Sequence, residues 1–549
     1  MKRNKIALSG VAVLAVGAFA LAGCSSDTGS DNSGDAGTGS STAIISTNGS
    51  EPQNPLIPTN TTETGGGKIV TSIFDGLIVY NADGSTENAV AESITTDSPT
   101  QLTVKLREGL TFTDGEEVTA DNFINAWNYG ANLDNAQSAA YFFEDIEGYS
   151  ADEAVTHMSG LEQVDDYTFT ITLSQPASDF AQRLGYTAFV PLPDAAFSDI
   201  DNLVLDDSFG ENPIGNGPYM LDGDGAWQHD TGIDLVTNPD YDGPRTPQNG
   251  GLHITFYASQ DSAYADLQSD QLDVLDAIPD SAFETYETDL EGRSVNQPAA
   301  IFQSITIPQY LEHFQGEEGQ LRRQAISMAI NREQITDVIF QGTRTPATDF
   351  TSPTLDGYTD QLTGSEVLDY NESQAQDLWA QADAISPYDG TFYIAYNADG
   401  GHQAWVDATA NSISNVLGID AEGKPYADFA SLLADEDARS MDGAFRSGWQ
   451  ADYPGLYNFL APLYTYGAGS NYGDYNSSEF EDLLNQGITA TDEDTANDYY
   501  HQAEEVLLKD LPVLPLWYSN VTAGWSSLVD NVEFGWDSVP LYYEITKSE

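Results

Sequence analysis

The sequence predicts a mixed α/β protein with two or three lobes. Segments that alternate apolar and polar residues, as half-buried strands do, are interleaved with segments of helical period along the whole chain. The sequence contains no internal repeat. The chain has 549 residues, which is too long for a single hydrophobic core and favours several.

The strand predictions rest on alternation and on prolines. The clearest alternating segments are QLTVKLR at residues 101–107 and YTFTITL at residues 167–173. Residues 511–518, LPVLPLWY, are expected to be extended because two prolines exclude a helix. Further strands are predicted at residues 43–47, 252–257, 392–396 and 443–449.

The helix predictions rest on apolar spacing and on start signals. Thr119 can cap a helix that carries Phe123 and Trp127 on one face, four residues apart. Further helices are predicted at residues 321–340 (as one helix or two), 374–384, 404–417, 479–488 and 495–509.

Two glycine-rich motifs invite a ligand-binding interpretation that their residues do not support. GGGK at residues 65–68 is not a phosphate-binding loop, because Thr62 occupies the first glycine position and Ile69 follows the lysine. A helix that begins after a glycine turn is expected there instead. DGDG at residues 222–225 resembles the start of a calcium loop but lacks the later ligands, so it predicts a hairpin turn.

The N-terminus predicts secretion and lipidation. Three of the first five residues are Lys or Arg, an apolar run follows to residue 22, and LAGC ends the segment. The run is short for a membrane span and typical of a signal peptide, here residues 1–23. LAGC resembles a bacterial lipobox, in which Cys24 becomes the lipidated N-terminus. Cys24 is the only cysteine and cannot form an internal disulfide; a signal-region cysteine without a role is the alternative.

Residues 24–42 predict a disordered tether. They are rich in Ser, Gly and Asp and have almost no apolar residues, so they cannot bury enough surface to offset their ordering entropy. A multiply acylated cysteine would provide stable anchoring. The expected location is therefore the extracellular face of the cell membrane, or the periplasm of a Gram-negative cell.

The charge of the chain excludes some partners. It has 18 Lys and Arg against 87 Asp and Glu, a net charge of −69. Nucleic acid and anionic lipid surfaces need basic residues, so neither is an expected partner. The acidity indicates solubility or a saline habitat, with a preference for cationic ligands as the alternative.

The sequence lacks the common signatures of catalysis and metal binding. The six His residues form no HExxH motif and no close pair, and no GxSxG elbow is present. Carboxylate pairs occur everywhere in so acidic a chain and do not indicate a glycosidase. We therefore expect a binding protein with no catalytic residue, no metal site and no cofactor.

Seven ordered segments resemble one family across essentially the whole chain after the tether. They begin with FDGLIVYNADGSTENAVAESI (residues 74–94) and LTVKLREGLTFTDGEEVTADNFINAW (102–127), and continue with IGNGPY (214–219), LVTNPDYDG (235–243), QAISMAINREQI (324–335), GWQADYPGLYNFL (448–460) and LPVLPLWY (511–518). This pattern resembles the extracellular solute-binding proteins of bacterial ABC importers for peptides and nickel (family 5). Oligopeptide- and dipeptide-binding lipoproteins are the most similar members.

The resemblance implies a two-lobed clamshell of the periplasmic-binding-protein type, with mixed sheets and an extra subdomain on the first lobe. The implied division is first lobe at residues 43–77, 213–300 and 515–549, extra subdomain at 78–212, and second lobe at 301–514. The ligand would be enclosed between the lobes.

The resemblance also implies the ligand contacts. Asp452 occupies the position of the Asp in G-W-x-A-D-Y, which holds a peptide's α-ammonium, because a charge removed from water needs a counter-charge. Arg446 matches an Arg that meets the peptide carboxylate with its planar fork of donors. His402 matches a second group that reaches the carboxylate, and Tyr426 and Trp449 match aromatic walls of side-chain pockets.

The remaining predicted contacts are less distinctive. Gln450 and Ala451 lie between Trp449 and Asp452, and Thr62, Glu63 and Thr64 lie where the first lobe would lay a strand beside the ligand backbone. A structural role remains an alternative for several of these residues. Asp452 could be a turn carboxylate, Arg446 an internal ion-pair partner, His402 an exposed loop residue, and the two aromatic residues part of a core.

The implied function is capture of a peptide and its delivery to the ABC permease and its ATPases, by a receptor that is expected to be a monomer. The alternative is the same role for an oligosaccharide, an opine-like compound or a metal chelate. A secreted hydrolase is the alternative from another class, and the missing nucleophile and zinc motifs argue against it.

Overall fold

The structure is a computed structural model that describes residues 42–398, 401–427, 429–490 and 492–548, with only the backbone of Ala430. The predicted signal peptide (1–23), Cys24 and all of the predicted tether except Thr42 lie outside the described residues. Within the described ranges, no helix is both long and apolar enough to cross a membrane.

A twelve-stranded mixed sheet dominates the fold, in the order β10-β12-β13-β1-β14-β20-β15-β19-β17-β18, with β11 beside β12 and β16 beside β20. A four-stranded sheet, β4-β5-β7-β6, and three two-stranded pairs, β2-β3, β8-β9 and β21-β22, stand apart from it. The strands are β1 Ile44–Gly49, β2 Ile78–Tyr80, β3 Thr86–Asn88, β4 Ala91–Ser98, β5 Gln101–Leu106, β6 Leu161–Asp165, β7 Thr168–Thr172, β8 Phe197–Asp199, β9 Val204–Leu205, β10 Tyr219–Leu221, β11 Trp227–Gln228, β12 Gly232–Thr237, β13 Gly251–Phe256, β14 Val274–Leu275, β15 Ser294–Thr306, β16 Arg344–Pro346, β17 Phe392–Asn397, β18 Ala421–Tyr426, β19 Ala444–Gln450, β20 Val513–Trp525, β21 Val529–Asp530 and β22 Thr546–Lys547.

Helices cover both ends of this sheet. The α-helices are α1 Thr64–Ile73, α2 Ala120–Ala131, α3 Phe180–Arg183, α4 Gln260–Gln268, α5 Tyr286–Asp289, α6 Gly316–Ala329, α7 Arg332–Val338, α8 Glu372–Ile385, α9 Gln403–Leu417, α10 Phe429–Asp437, α11 Leu456–Tyr464, α12 Ser478–Ile488 and α13 Glu493–Asp510. Short 3-10 helices lie at Pro58–Asn60, Leu133–Asn135, Ala140–Phe143, Thr187–Phe189, Asp194–Ala196, Ile200–Asn202, Phe209–Glu211, Asp280–Ala282, Ser365–Leu368 and Tyr542–Glu544.

Two large hydrophobic cores make the protein two-lobed. The first core draws its residues mainly from the chain between residues 45 and 274 and between 521 and 545, and the second from the chain between 300 and 518. The long strands β15 and β20 pair with each other and extend from one core to the other. They carry the chain between the lobes and back.

The strand and helix predictions hold well where periodicity is strong. The helix predicted after Thr119 is α2, and both the backbone N–H and the hydroxyl of Thr119 donate to Asn122 Oδ1, at 2.8 and 2.9 Å. Phe123 and Trp127 are buried on its inner face. The segment predicted as one helix or two is two, α6 and α7.

The predicted starting point of the helix at the glycine stretch is wrong. Helix α1 begins at Thr64, so the three glycines form its first turn and do not precede it. The Glu63 carboxylate caps the helix by accepting from Gly66 N. A Cβ on Gly65 would clash with Ser50, and one on Gly66 would clash with Glu63 itself. Tight packing around the cap therefore explains Gly65 and Gly66, whereas a Cβ on Gly67 would meet no atom within 4 Å.

A buried carboxyl pair in the second lobe predicts a pH-dependent stability. Asp349 and Glu504 are fully buried neighbours, and neither side-chain oxygen of Glu504 has a hydrogen-bond partner within the described residues. Two carboxylates this close and removed from water do not both ionise, so one of them holds a proton. Burial, and then the Asp349 charge, raise the pKa of Glu504 well above its ordinary value. His501 lies close enough to oppose the rise in the pKa of Asp349.

We expect Glu504→Gln to become progressively more stable than wild type as the pH rises from 5 to 8. Wild type holds its extra proton only when folded, so its free energy of unfolding falls by up to about 1.4 kcal/mol per pH unit in this window. The glutamine amide donates to Asp349 at every pH. Urea unfolding at several pH values measures the difference, with the neighbouring Glu505→Gln as control. Parallel curves for wild type and Glu504→Gln would contradict the shared proton.

Candidate ligand-binding site

A cavity of about 200 Å³ lies between the two lobes. It brings together six of the residues predicted from the sequence: Thr62, Glu63 and Thr64 from the first lobe and Gln450, Ala451 and Asp452 from the second. Its other walls are Thr61, Gly67, Lys68, Thr71, Tyr80, Gly185, Tyr186, Thr187, Trp536, Asp537 and Val539.

The first-lobe wall is an extended segment that leads into α1. Thr61 and Glu63 both have backbone angles of the β region, and Thr62 between them is exposed. The segment lies between the 3-10 helix Pro58–Asn60 and α1 and belongs to no sheet of the described structure. The Glu63 carboxylate is committed to the helix cap, so it contributes backbone and negative charge to the cavity.

The second-lobe wall is held in place by Asn458 of α11. The Asn458 side-chain oxygen accepts from Trp449 Nε1 at 3.1 Å and from the backbone N–H of Asp452 at 3.0 Å. Its side-chain nitrogen donates to Asp452 Oδ2 at 2.9 Å. One buried amide therefore orients both the indole of Trp449 and the carboxylate of Asp452.

Asp452 is a poorly compensated carboxylate. Among the residues that the structure describes, its Oδ1 has no hydrogen-bond donor, and it forms no ion pair. Burial raises the pKa of Asp452 to about 6, against the opposing hydrogen bond from Asn458. A half-buried acid on a cavity wall, with one oxygen that has no donor, is suited to pair with a cationic group.

Aromatic residues of the first lobe and the C-terminal segment surround this carboxylate. Burial first, and the Asp452 charge second, raise the pKa values of Tyr80 and Tyr186, which line the same cavity. Tyr80 donates its hydroxyl to Gln182 O at 2.8 Å and meets Trp536 edge to face, with ring centroids 5.5 Å apart.

A smaller cavity of about 100 Å³ shares several of these walls. Asp537 faces both cavities, and burial raises the pKa of Asp537 to about 6. The Lys68 ammonium forms an ion pair with Asp276, which satisfies that cation inside the protein. The net charge of the cavity walls is thus negative when Asp452 and Asp537 are ionised.

Strand β19 has a partly free edge beside the site. It pairs with β15 from Phe445 to Gln450 on one side, but with β17 only at Ala444 and Phe445 on the other. From Ser447 to Gln450, β19 therefore has no strand partner on that second side within the described part of the sheet. An unpaired edge can accept an extended ligand as an additional strand.

The other predicted contacts form a separate group where β17 and β18 end. Asn397 is paired with Tyr426 in register and accepts from Arg446 Nε at 2.7 Å. Tyr426 donates its hydroxyl to Asp435 at 2.8 Å. None of these three residues lines the cavity of Asp452, so the structure separates the predicted contacts into two groups.

Arg446 and His402 have contacts of their own within this second group. The Arg446 guanidinium lies over the Phe429 ring, 4.6 Å from its centroid. Burial raises the pKa of Glu436 to about 7, and Arg446 opposes the rise, so this acid lies near the guanidinium. His402 Nδ1 accepts from Trp405 Nε1 at 3.1 Å, just before α9.

Sequence reasoning missed Asn458 and the aromatic walls. Asn458 was detectable as the one amide in the otherwise apolar segment LYNFLAPLY of α11. Tyr80, Tyr186 and Trp536 carried no such signal, because they come from three distant segments that only the fold brings together.

The comparison with known families agrees with this geometry. The family model for bacterial extracellular solute-binding proteins, family 5 (middle region), matches residues 85–471. The chain belongs to this family. It contains a two-lobed fold with a cavity between the lobes, and Gln450, Ala451 and Asp452 of the GWQADY segment line the cavity wall.

Relatives of this family 5 protein cover nearly its whole length. The dipeptide-binding protein DppE of Bacillus subtilis is 26% identical over 522 residues, with 92% of this chain and 93% of the relative covered. The probable deoxycholate-binding periplasmic protein YgiS of Escherichia coli is 26% identical over 489 residues, covering 84% and 85%.

Solved structures show the same fold. The periplasmic binding protein DppA of Helicobacter pylori, in complex with the peptide STSA, superposes with a TM-score of 0.72 at 21% identity, covering 93% of this chain and 99% of that one. This likeness establishes the two-lobed architecture of the family 5 chain.

Proposed function

We propose that this protein is the lipid-anchored receptor of an ABC importer and that its cargo is a peptide with a free amino terminus. The observation that carries the proposal is Asp452, a half-buried carboxylate on the wall of the cavity between the lobes, whose Oδ1 has no donor among the described residues. A peptide ammonium supplies both the counter-charge and the missing hydrogen bond.

The peptide would bind as an added strand. The edge of β19 from Ser447 to Gln450 and the extended segment at Thr61–Glu63 supply backbone groups, which give affinity that does not depend on the ligand's side chains. The ammonium lies at Asp452 and the carboxylate points towards Arg446, with His402 and Tyr426 near that end. Asp452 lies six positions after Arg446, roughly 20 Å at about 3.3 Å per residue, so we propose peptides of up to about six residues.

The remaining features of the proposed receptor follow from the sequence and the family. The first lobe comprises residues 43–77, 213–300 and 515–549, the extra subdomain 78–212, and the second lobe 301–514. Cys24 carries the lipid anchor at the extracellular face of the membrane, and residues 24–42 form the tether. The permease binds the monomer in its closed, peptide-loaded state, because the bound peptide stabilises the closed arrangement of the two lobes.

Mass spectrometry of the solute that co-purifies with the protein from its native source tests the cargo. We expect short peptides with free amino termini. Recovery of an oligosaccharide, an opine-like compound or a metal chelate instead would replace the peptide while keeping the receptor role.

A non-peptide solute is the second candidate, and the relative named for deoxycholate favours considering it. The cavity opposes that particular ligand, because a bile acid is an anion and Asp452, Asp537 and Glu63 face the space it would occupy. The hydrolase alternative would require new fragments of a bound peptide to accumulate with time.

We expect peptide affinity to depend on pH through Asp452. Below pH 6 the carboxyl group holds a proton that must leave before an ammonium can pair with it, so the association constant should fall by up to about tenfold per pH unit. Above about pH 8 the affinity should fall again as the peptide amine loses its proton.

Calorimetry with tetra-alanine between pH 4.5 and 8.5 measures this profile. Asp452→Asn should lose the acidic limb. Asp537→Asn is the matched control, because Asp537 lines the same cavity and its pKa is also about 6. If the loss of affinity at low pH persisted in Asp452→Asn and disappeared in Asp537→Asn, the ammonium would pair with Asp537 and the assignment to Asp452 would be wrong.

A further inference from the structure

Tyr453, the residue after the proposed ammonium ligand, crosses from one lobe into the other. Its chain neighbours Ala451 and Leu456 belong to the core of the second lobe, yet the Tyr453 ring is buried in the core of the first. It is 3% exposed, so the insertion is complete. The segment that carries Asp452 is therefore held from both lobes.

The Tyr453 hydroxyl forms a hydrogen bond with a charged group of the first lobe. It donates to Asp179 Oδ2 at 2.6 Å, and Asp179 Oδ1 accepts from Arg183 at 2.8 Å. The other end of the Arg183 guanidinium donates to Asp145 at 2.7 Å. These donor–acceptor distances are typical of charge-assisted hydrogen bonds, which are stronger than hydrogen bonds between neutral groups.

The Arg183 guanidinium also contacts the second lobe through its face. It lies 5.7 Å from the ring centroids of both Tyr453 and Tyr457. Arg183 is 5% exposed, and a cation removed from water gains more from aromatic faces than an exposed one does. Gln182 adds a neighbouring hydrogen bond across the same boundary, from Nε2 to Pro454 O at 3.1 Å.

These contacts have a consequence for ligand binding. Opening the lobes would withdraw the Tyr453 ring from an apolar core, take its hydroxyl donor away from Asp179 and take both aromatic rings away from Arg183. Such losses are costly for buried charged groups. Closing them returns Tyr453 to its socket and thereby places Asp452, one residue earlier, on the cavity wall.

We propose that Tyr453, Asp179 and Arg183 form a clasp that holds the two lobes shut and positions Asp452. Tyr453 is thus a positioning residue, since it acts on the ligand through Asp452 and through closure. The closure part stands on the geometry alone, and the part concerning the ligand rests on the proposed peptide function.

Tyr453→Phe tests the clasp because it removes only the hydroxyl and keeps the buried ring. Tyr475→Phe is the matched control: Tyr475 is equally buried and donates to Asp510 at 2.9 Å, but both residues belong to the second lobe. Small-angle X-ray scattering of the ligand-free proteins reports closure, and stopped-flow tryptophan fluorescence reports dissociation of tetra-alanine.

We expect Tyr453→Phe to have a larger radius of gyration than both wild type and Tyr475→Phe, and to release tetra-alanine about tenfold faster, as loss of a hydrogen bond to a charged group implies. Tyr475→Phe should lower thermal stability without changing either readout. In a double-mutant cycle, Tyr453→Phe combined with Asp179→Asn should add little to either single change.

A radius of gyration for Tyr453→Phe equal to that of Tyr475→Phe would overturn the clasp. This scattering result decides the matter even if tetra-alanine does not bind. Conversely, an Asp452→Ala variant that binds tetra-alanine normally would overturn the proposed peptide site and leave an altered radius of gyration in Tyr453→Phe as support for the clasp.

Discussion

Asp452→Ala should weaken binding of a peptide with a free amino terminus by roughly 30- to 4,000-fold, which corresponds to about 2–5 kcal/mol. The Asp452 carboxylate is oriented by Asn458 and faces the cavity between the lobes. Without it, the peptide ammonium would be removed from water with no directly opposed counter-charge. Calorimetry with tetra-alanine at pH 7 measures the loss, since wild-type Asp452 is ionised there.

Two controls distinguish loss of the pair between the peptide ammonium and Asp452 from a general loss of binding. N-acetyl tetra-alanine, which has no ammonium, should bind wild type weakly and should be affected little by Asp452→Ala. Asp498→Ala removes an exposed carboxylate from α13 and should leave binding unchanged. The ammonium assignment would be wrong if Asp452→Ala bound tetra-alanine as wild type does, or if it lost both peptides equally.

Arg332→Ala should lower the free energy of unfolding by about 3–5 kcal/mol. Its buried guanidinium donates to the backbone carbonyls of Ser327, Leu368 and Pro515, at 3.0, 2.7 and 2.7 Å. These carbonyls belong to α6, to a 3-10 helix and to β20, so one side chain joins three elements of the second lobe. Each carbonyl left without a donor costs about 1–3 kcal/mol, less where water can enter.

Urea unfolding at pH 7 measures this loss. Arg344→Ala is the matched control, because Arg344 is half-buried in the same lobe, donates to one backbone carbonyl, that of Thr343, and lies over the Phe340 ring. Its expected cost is about 1 kcal/mol. Equal losses in the two variants would contradict the role of Arg332 as a three-way connector.

The motif residues of the site were predictable because they are local in sequence. GWQADY places Trp449, Gln450, Ala451 and Asp452 on one short segment, and the structure puts three of the four on the cavity wall. Electrostatic need adds to the motif for Asp452, since a desolvated ammonium requires a carboxylate. The residues at 62–64 were placed at the same cavity by resemblance alone.

What the side chains do in the site was not predictable in the same way. Glu63 lines the cavity, but its carboxylate is used to cap α1. Arg446 and Tyr426 already have protein partners, Asn397 and Asp435. The contacts of Arg446 and Tyr426 join residues 49 and 9 positions apart and depend on how separate elements pack, which no local pattern encodes.

The fold class, the order of most elements and the family were all determined by the order of residues along the chain. Periodicity of apolar residues, caps and prolines act within one segment, and these short-range effects persist whatever the segment packs against. The helix that follows Thr119 and the strand that ends in Gln450 are examples.

Only the tertiary structure decided how the Asp452 segment is held. Asn458 reaches it from the next helix, while Tyr453 inserts into the core of the opposite lobe and meets Asp179, which lies 274 positions earlier in the chain. A contact over that separation depends on the packing of two complete lobes. Its physical cause is the burial of a ring and a charged pair in a socket that exists only once both lobes have folded and closed.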